Sequence, residues 1–345
     1  MAARKAIEMS GPPPSIPPSS LDRRATSSRL KTYSHLAGQR RMPTEYEIAT
    51  SRLLYYTRGG FEVNTPLAAW YAKHQAGSAL VAKDWERFVD PRETTYTKYT
   101  SLAERDETYL DGIFASIEES GYDRALAPEW RAVLSRVLPT LRFPLHGLQM
   151  MSAYVGQMAP SGRITVAAMF QTADELRRVQ RIAYRMAQLR LVQPDFGNDS
   201  RQVWQSDPAW QPLREVIERG LVAYDWGEAL VMLNLCLKPL VDELFMVQLS
   251  KAAKDHGDYS LGQLFSCLDE TCKWHRAWTV ALLTIAIEDH ESNRATISGW
   301  VHKWSGLAFR AVEEFGFLFP SGAVARASDS FEEVLAKIGV EVPRR

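Results

Sequence analysis

Apolar residues recur at steps of three and four through much of this chain, and no segment alternates apolar and polar residues over a convincing strand length. That pattern restricts the fold to helices packed on helices, an all-α class. Between residues 162 and 191 the repeat runs through Val166, Met169, Ala173, Leu176, Val179, Ala183 and Met186, with Glu175 at the margin of the stripe. A second long helix is expected over 226–254, carrying Leu230, Leu233, Leu237, Leu240, Val241 and Leu244, with a kink at Pro239 because proline cannot donate to the helical ladder. His256-Gly257-Asp258 ends it, glycine being common just past a helix terminus. Further helices are expected over 259–288, 295–317 and 329–340, the last capped by Ser328 or Ser330. Trp85 to Pro91 reads as a loop closing on aromatic anchors, with Pro91 near the start of a helix reaching about Gly121.

The chain has 345 residues, enough for one large helical domain or two smaller ones. A hydrophobic share of 46% with 24% charged residues is that of a globular protein, and the formal net charge of zero argues against a nucleic-acid binder. Cys236, Cys267 and Cys272 give neither a disulfide framework nor zinc-ligand spacing. The longest largely apolar run, Trp278 to Ile287, is too short to cross a bilayer, and no charged-then-apolar leader opens the sequence, so no membrane contact and a cytoplasmic location are expected.

The first 41 residues differ from the rest. They carry eight Lys or Arg against Glu8 and Asp22, a net of +6. Gly11-Pro12-Pro13-Pro14-Ser15-Ile16-Pro17-Pro18 cannot build a helix or a sheet, because each proline removes a donor and fixes φ. Residues 1–42 are therefore expected to form an extended arm, partly disordered or wrapped on partner subunits, ahead of a helical domain over 43–345.

Two helical segments pair a carboxylate with a cation three residues on: Glu175 with Arg178, and Glu270 with Lys273. A di-iron carboxylate bundle places Glu-x-x-His on each of two helices and a lone Glu on each of two others, all pointing inward. Here the carboxylates stand at two of those places and cations at the histidine places, where a charged guanidinium or ammonium has no lone pair for a metal. The alternative for each is an ordinary surface ion pair contributing about 0.2–0.5 kcal/mol. None of the seven histidines has a glutamate three residues before it. His146 and His275 are the stray histidines nearest these segments.

Several blocks in order resemble hydroxylase β subunits of toluene and related aromatic or alkene di-iron monooxygenases. They are Tyr33-Ser34-His35-Leu36, Pro43-Thr44-Glu45-Tyr46-Glu47-Ile48, Leu148 to Val155, Gln157-Met158-Ala159-Pro160, Gln171-Thr172-Ala173-Asp174 and Asp225-Trp226-Gly227-Glu228-Ala229. The resemblance covers roughly residues 32–317. In addition, Gly257 to Leu264, leading to Asp269-Glu270, is similar to the stretch before the second Glu-x-x-His of the catalytic α subunits.

The resemblance implies a ferritin-like bundle with extra peripheral helices, working in an NADH-dependent di-iron monooxygenase that hydroxylates or epoxidises aromatic hydrocarbons or alkenes. It places the ligand histidines on Arg178 and Lys273 and the lone-glutamate helices at about 141–158 and 229–241. Neither of those two stretches contains an acid, although Glu228 and Asp242 flank the second. It therefore implies no cofactor, metal or catalytic residue in this chain, and a di-iron centre in a partner α subunit. The implied partners are α and γ subunits in an α2β2γ2 hydroxylase, a docking effector protein, a Rieske ferredoxin and an NADH reductase. Tyr33, His35, Leu36, Tyr46, Trp70, Tyr71, Trp85 and Phe88 are the expected partner contacts, with intramolecular core as the alternative for each. Two other classes stand beside this one: a self-contained di-iron oxidase or radical-generating subunit, and an unrelated helical scaffold.

Overall fold

The computed structural model describes residues 43–50 and 66–341. The expected arm over 1–42, with Tyr33, His35 and Leu36, lies outside them. The chain divides into two units, Met1–Ala49 and Thr50–Arg345. In the first, Thr44 and Glu47 form a reciprocal cap: the Thr44 amide donates to Glu47 Oε2 at 2.7 Å and the Glu47 amide to Thr44 Oγ1 at 3.1 Å. This cap starts helix α1 (Glu45–Thr50), on which Tyr46 lies.

All regular elements described in the second unit are helical. A short α2 (Pro66–Tyr71) leads to a loop and then to α3 (Tyr96–Ser120). Thr95, not Pro91, starts α3 by accepting from the Lys98 amide, and Gly121 ends it at φ 63°, a left-handed conformation that a side chain would strain. Helix α4 (Pro128–Met158) continues through Pro139 and Pro144. The Pro139 carbonyl also accepts from Arg142 Nε at 3.2 Å.

Ser161 then caps α5 (Gly162–Val192), which runs back along α4. A Cβ on Gly156 would lie 3.1 Å from the Met169 sulfur, so that glycine sets how closely the two helices approach. The small helices α6 (Ser200–Ser206) and α7 (Gln211–Gly220) follow.

Residues 226–255 form one long helix, α8, in which two wide i→i+5 stretches, Val231–Leu237 and Glu243–Gln248, flank Lys238–Asp242. Pro239 is accommodated beside the first widened stretch. Helix α9 (Tyr259–Asp289) begins at Asp258, which accepts from the Leu261 amide, and α10 (Ser292–Glu313) and α11 (Ala323–Lys337) complete the unit. The last helix starts earlier than expected. Ser328 sits inside it, donating to the Val324 carbonyl at 3.2 Å instead of capping.

Helices α4, α5, α8 and α9 enclose the main core, with α3 against α5 and α9, and α10 and α11 against α8. A neutral polar hub ties all four together. Gln171 on α5 donates to Ser152 Oγ on α4 at 3.0 Å and to Asn234 Oδ1 on α8 at 2.8 Å. Asn234 donates to Thr279 Oγ1 on α9 at 2.9 Å, and Trp278 Nε1 donates to Gln171 Oε1 at 3.1 Å. Both buried amides thus have partners on more than one helix, which removes the cost of burying them and specifies helix register.

The loop between α2 and α3 is pinned to this bundle. Asn293 holds both the N–H and the C=O of Val81, and Asp225 accepts from Ser78 Oγ at 2.7 Å and from the Ala79 amide at 3.2 Å. The Trp274 indole donates to Asp90 at 2.7 Å. No helix among the described residues is long and apolar enough to cross a membrane.

Candidate functional site

Next to the neutral hub, the same core contains a layer of charges. Asp174, Glu175 and Arg178 project from α5, Lys238 and Asp242 from α8, and Cys272 and His275 from α9, and none of the seven is more than 2% exposed. Glu175 is bonded on both sides, to Arg178 at 2.7 Å and to Lys238 at 2.5 Å. Asp242 lies 3.0 Å from the Lys238 ammonium and 3.4 Å from the Arg178 guanidinium. The other Arg178 nitrogen donates to Thr271 Oγ1 at 3.1 Å and to Cys272 Sγ at 2.9 Å. Two carboxylates and two cations therefore alternate in a closed ring of contacts, the arrangement in which buried charges are tolerated.

The proton affinities follow from burial and from these contacts. Burial works against the Lys238 charge, but Asp242 and Glu175 outweigh it and hold the ammonium more firmly protonated than usual. Burial likewise opposes Asp242, and Lys238 and Arg178 more than offset it, so its carboxyl is held below the usual range. Burial opposes the Arg178 charge, but the Cys272 sulfur accepts a hydrogen bond from it and the carboxylates of Glu175, Asp242 and Asp174 surround it, so it stays protonated.

Asp174 and His275 behave differently. His275 Nε2 lies 3.1 Å from Asp174 Oδ2, while Asp174 Oδ1 accepts from the Tyr99 hydroxyl at 3.0 Å and from Arg177 at 3.2 Å. Burial pushes Asp174 up, whereas burial, Lys238 and Arg178 push His275 well below its ordinary value. Burial also keeps the Cys272 thiol protonated, far above its ordinary range.

Glu175 and Arg178 face each other inside the bundle, but Glu270 and Lys273 do not join them. Their side chains are 65% and 55% exposed and pair with each other on the outer side of α9. The expectation that Glu270 points into the core is corrected. The inward line of α9 is Leu264, Leu268, Cys272, His275 and Thr279, spaced four, four, three and four residues apart, and Glu270 lies two residues off that line, across the helix.

The inward pair with i, i+3 spacing on α9 is thus Cys272 and His275. Lys238 and Asp242 were missed as partners because Lys238 reads as a surface residue and Asp242 lies just past the stretch expected to hold a lone acid. The expected contacts Trp70, Tyr71, Trp85 and Phe88 are engaged within the chain. Phe88 is fully buried with its ring 6.3 Å from Trp278, so it offers no surface to a partner. Trp85 meets Trp226 edge-on at 5.1 Å, Trp70 packs 4.8 Å from Tyr224, and the Tyr71 hydroxyl donates to the Gln157 carbonyl at 3.4 Å. His146 is exposed on α4.

These residues do not fit a metal pair. The space between Glu175 and Asp242 is taken by a guanidinium and an ammonium, donors without a lone pair. No group of three or more His, Cys, Asp or Glu among the described residues is arranged to hold a metal ion. Fold and site together define a carboxylate-type helical bundle with protein cations where the implied ligand pattern would put metal.

Comparison with known proteins places the chain in a family. The family described as Methane/Phenol/Alkene Hydroxylase matches residues 70–290, and the chain belongs to it. It is 36% identical over 293 residues to the toluene-4-monooxygenase system, hydroxylase component subunit beta, of Ectopseudomonas mendocina, covering 83% of this chain and 89% of that one. The structure of toluene 4-monooxygenase with toluene bound in the resting active site superposes with a TM-score of 0.79 at 35% identity, over 87% of this chain and 98% of that chain. Two oxygenase components of the phenol 2-monooxygenase of Pseudomonas sp. (strain CF600) also match. DmpL is 23% identical over 79% of this chain and 84% of its own length, and DmpN is 22% identical over 68% and 45%.

Proposed function

We infer that this chain is the β subunit of the hydroxylase component of a multicomponent monooxygenase acting on aromatic hydrocarbons or alkenes, and that its role is structural. The observation that carries the reading is the ring of Glu175, Arg178, Lys238 and Asp242. It supplies the core of a carboxylate bundle with two positive charges of its own in place of metal. In this reading the di-iron centre and the hydrocarbon pocket belong to the larger α subunit. The chain packs against α and supports the helices that carry its ligands, since a metal site needs neighbours that hold its ligands rigid. The full assembly would be a cytoplasmic α2β2γ2 hydroxylase served by an effector protein, a Rieske ferredoxin and an NADH reductase.

Elemental analysis tests the proposal. The chain purified alone is expected to contain no iron above background, and oxygenase activity is expected only when α is added. Stoichiometric iron in the isolated chain, or substrate oxidation without α, would overturn it.

A further inference from the structure

A cavity of about 420 Å³ lies between the start of α4, the link from α6 to α7, and the turn after α10. Its apolar lining comes chiefly from Val133 and Val137 on α4, Trp210 on the link, and Phe315 and Leu318 on the turn. The aromatic part is fixed by the fold. Trp210 and Phe315 are almost fully buried and meet edge-on at 4.8 Å, and Phe245 on α8 packs on both, at 6.1 Å and 5.1 Å. A ligand would meet walls already in place, so little ordering would oppose its binding.

Two charged side chains also line the cavity, Arg136 and Asp207, and they pair with each other. Asp207 is anchored in the link, where its Oδ1 accepts from the Ala209 amide at 3.0 Å. A carboxylate has more lone pairs than these two contacts use, so Asp207 can accept a further hydrogen bond. The pair cancels its own charge, which leaves the cavity with a polar but neutral edge. The Trp210 indole N–H makes no hydrogen bond among the described residues, although the residue is only 3% exposed. Buried indole donors usually have a partner, so this one is available to a ligand.

Aromatic walls with a neutral polar edge select among ligands. A bare hydrocarbon would cover the indole donor and the Asp207 oxygens without answering them. An aromatic carboxylate would face Asp207 and gain only from an arginine that is already paired. A neutral hydroxyl on a flat ring can donate to Asp207 and accept from the indole or from Arg136. A cavity of about 150 Å³ is enough for benzene, so this one has room for a single ring with a small substituent. We propose that this cavity binds a small monocyclic phenol, the class of hydroxylated product that an enzyme acting on aromatic hydrocarbons releases. The source of the ligand rests on the functional reading above, whereas the chemistry of the site does not.

The test is calorimetric titration of the full chain with phenol, toluene and benzoate, comparing wild type, Ala132→Trp, Asp207→Asn, and Val222→Arg as an exposed control away from the cavity. Ala132 lines the cavity and is itself exposed, so Ala132→Trp fills the space without removing a buried contact. Asp207→Asn keeps an oxygen for the Ala209 amide and loses the charge that pairs with Arg136. Wild type and Val222→Arg are expected to bind phenol saturably at a single site, and Ala132→Trp to bind it about tenfold more weakly or worse. Asp207→Asn is expected to weaken phenol by about threefold or more, and wild type to prefer phenol to toluene and benzoate by about tenfold or more. If Ala132→Trp loses the wild-type melting profile, Asp207→Asn decides. No saturable phenol binding, or binding by Ala132→Trp equal to wild type, would overturn the site. Toluene or benzoate bound as tightly as phenol, or an unchanged Asp207→Asn, would overturn the phenol assignment. None of these outcomes bears on the β-subunit reading, which stands or falls on iron content and the need for α.

Discussion

Glu175–Arg178 and Glu270–Lys273 have the same form in the sequence, a carboxylate and a cation three residues apart on a long helix, yet their surroundings are opposite. The first pair is fully buried and is extended by Lys238, Asp242, Thr271 and Cys272 into a network across three helices. The second lies mostly in water and reaches only Asp269, one turn back on the same helix, at 3.5 Å. Spacing along a helix says which side chains can touch but not which way the pair faces. The energetic meaning of the same contact changes by an order of magnitude with that direction.

The largest expected effect comes from breaking the buried pair. Arg178→Leu takes one cation from Glu175 and Asp242 and, unlike loss of Lys238, also removes the donors to Thr271 and Cys272 on α9, so it should lower stability by about 3–5 kcal/mol, read from urea unfolding. Lys238→Met removes the other cation but leaves Arg178 on both carboxylates, so a loss of about 1–3 kcal/mol is expected from the same measurement. An Arg178→Leu protein as stable as wild type would erase the contrast between the two pairs.

A smaller effect is the pH dependence carried by His275, which faces Asp174 and Glu175 on α5 and lies near Lys238, Arg178, Arg92 and Arg276. Its folded pKa is lowered, first by burial, from the ordinary 6.5. The unfolded chain therefore binds the proton more readily, and stability falls as pH drops through 6.5 toward the lowered folded value. Asp174 has the opposite sign: with its pKa raised from 3.8, its contribution is present at low pH and is lost as pH rises through the folded value. Unfolding midpoints at about pH 7.5 and about pH 5.5 should differ less in His275→Asn than in wild type. Equal differences would mean that the imidazole is not held neutral.

The smallest effect belongs to the exposed pair. Lys273→Ala should change stability by no more than about 0.5 kcal/mol, and added salt should shrink the change further. A loss as large as that of Lys238→Met would show that Glu270 and Lys273 are covered in solution.

The helices themselves were legible in the sequence. The repeats over 162–191, 226–254 and 259–288 match α5, α8 and α9 to within a residue or two. The stripe read on α8, Leu230 to Leu244, is fully buried as its periodicity implied, but which face of α5 is buried was not legible. The apolar row from Val166 to Ala183 is the half-buried to exposed side of α5, while the buried side carries Gln171, Glu175, Arg178 and Arg185. The buried side also carries Ile164, Ala167, Ala168, Ile182, Met186 and Leu189, so apolar residues lie on both sides of α5 and periodicity alone does not choose between them. Helix α4 was expected only over about 141–158, and only through the family resemblance, whereas it starts at Pro128 and continues through Pro139 and Pro144.

Helix α5 is fastened on its inner side at two levels, through Gln171 to α4, α8 and α9 and through Glu175 and Arg178 to α8 and α9. To slide along its axis by a single turn, about 5.4 Å, it would have to break both sets of contacts at once and strand buried amides and charges. It therefore acts mechanically as a stiff beam. A force applied to its outer row passes to α8 and α9 as a movement of the whole packed unit instead of being lost in slippage.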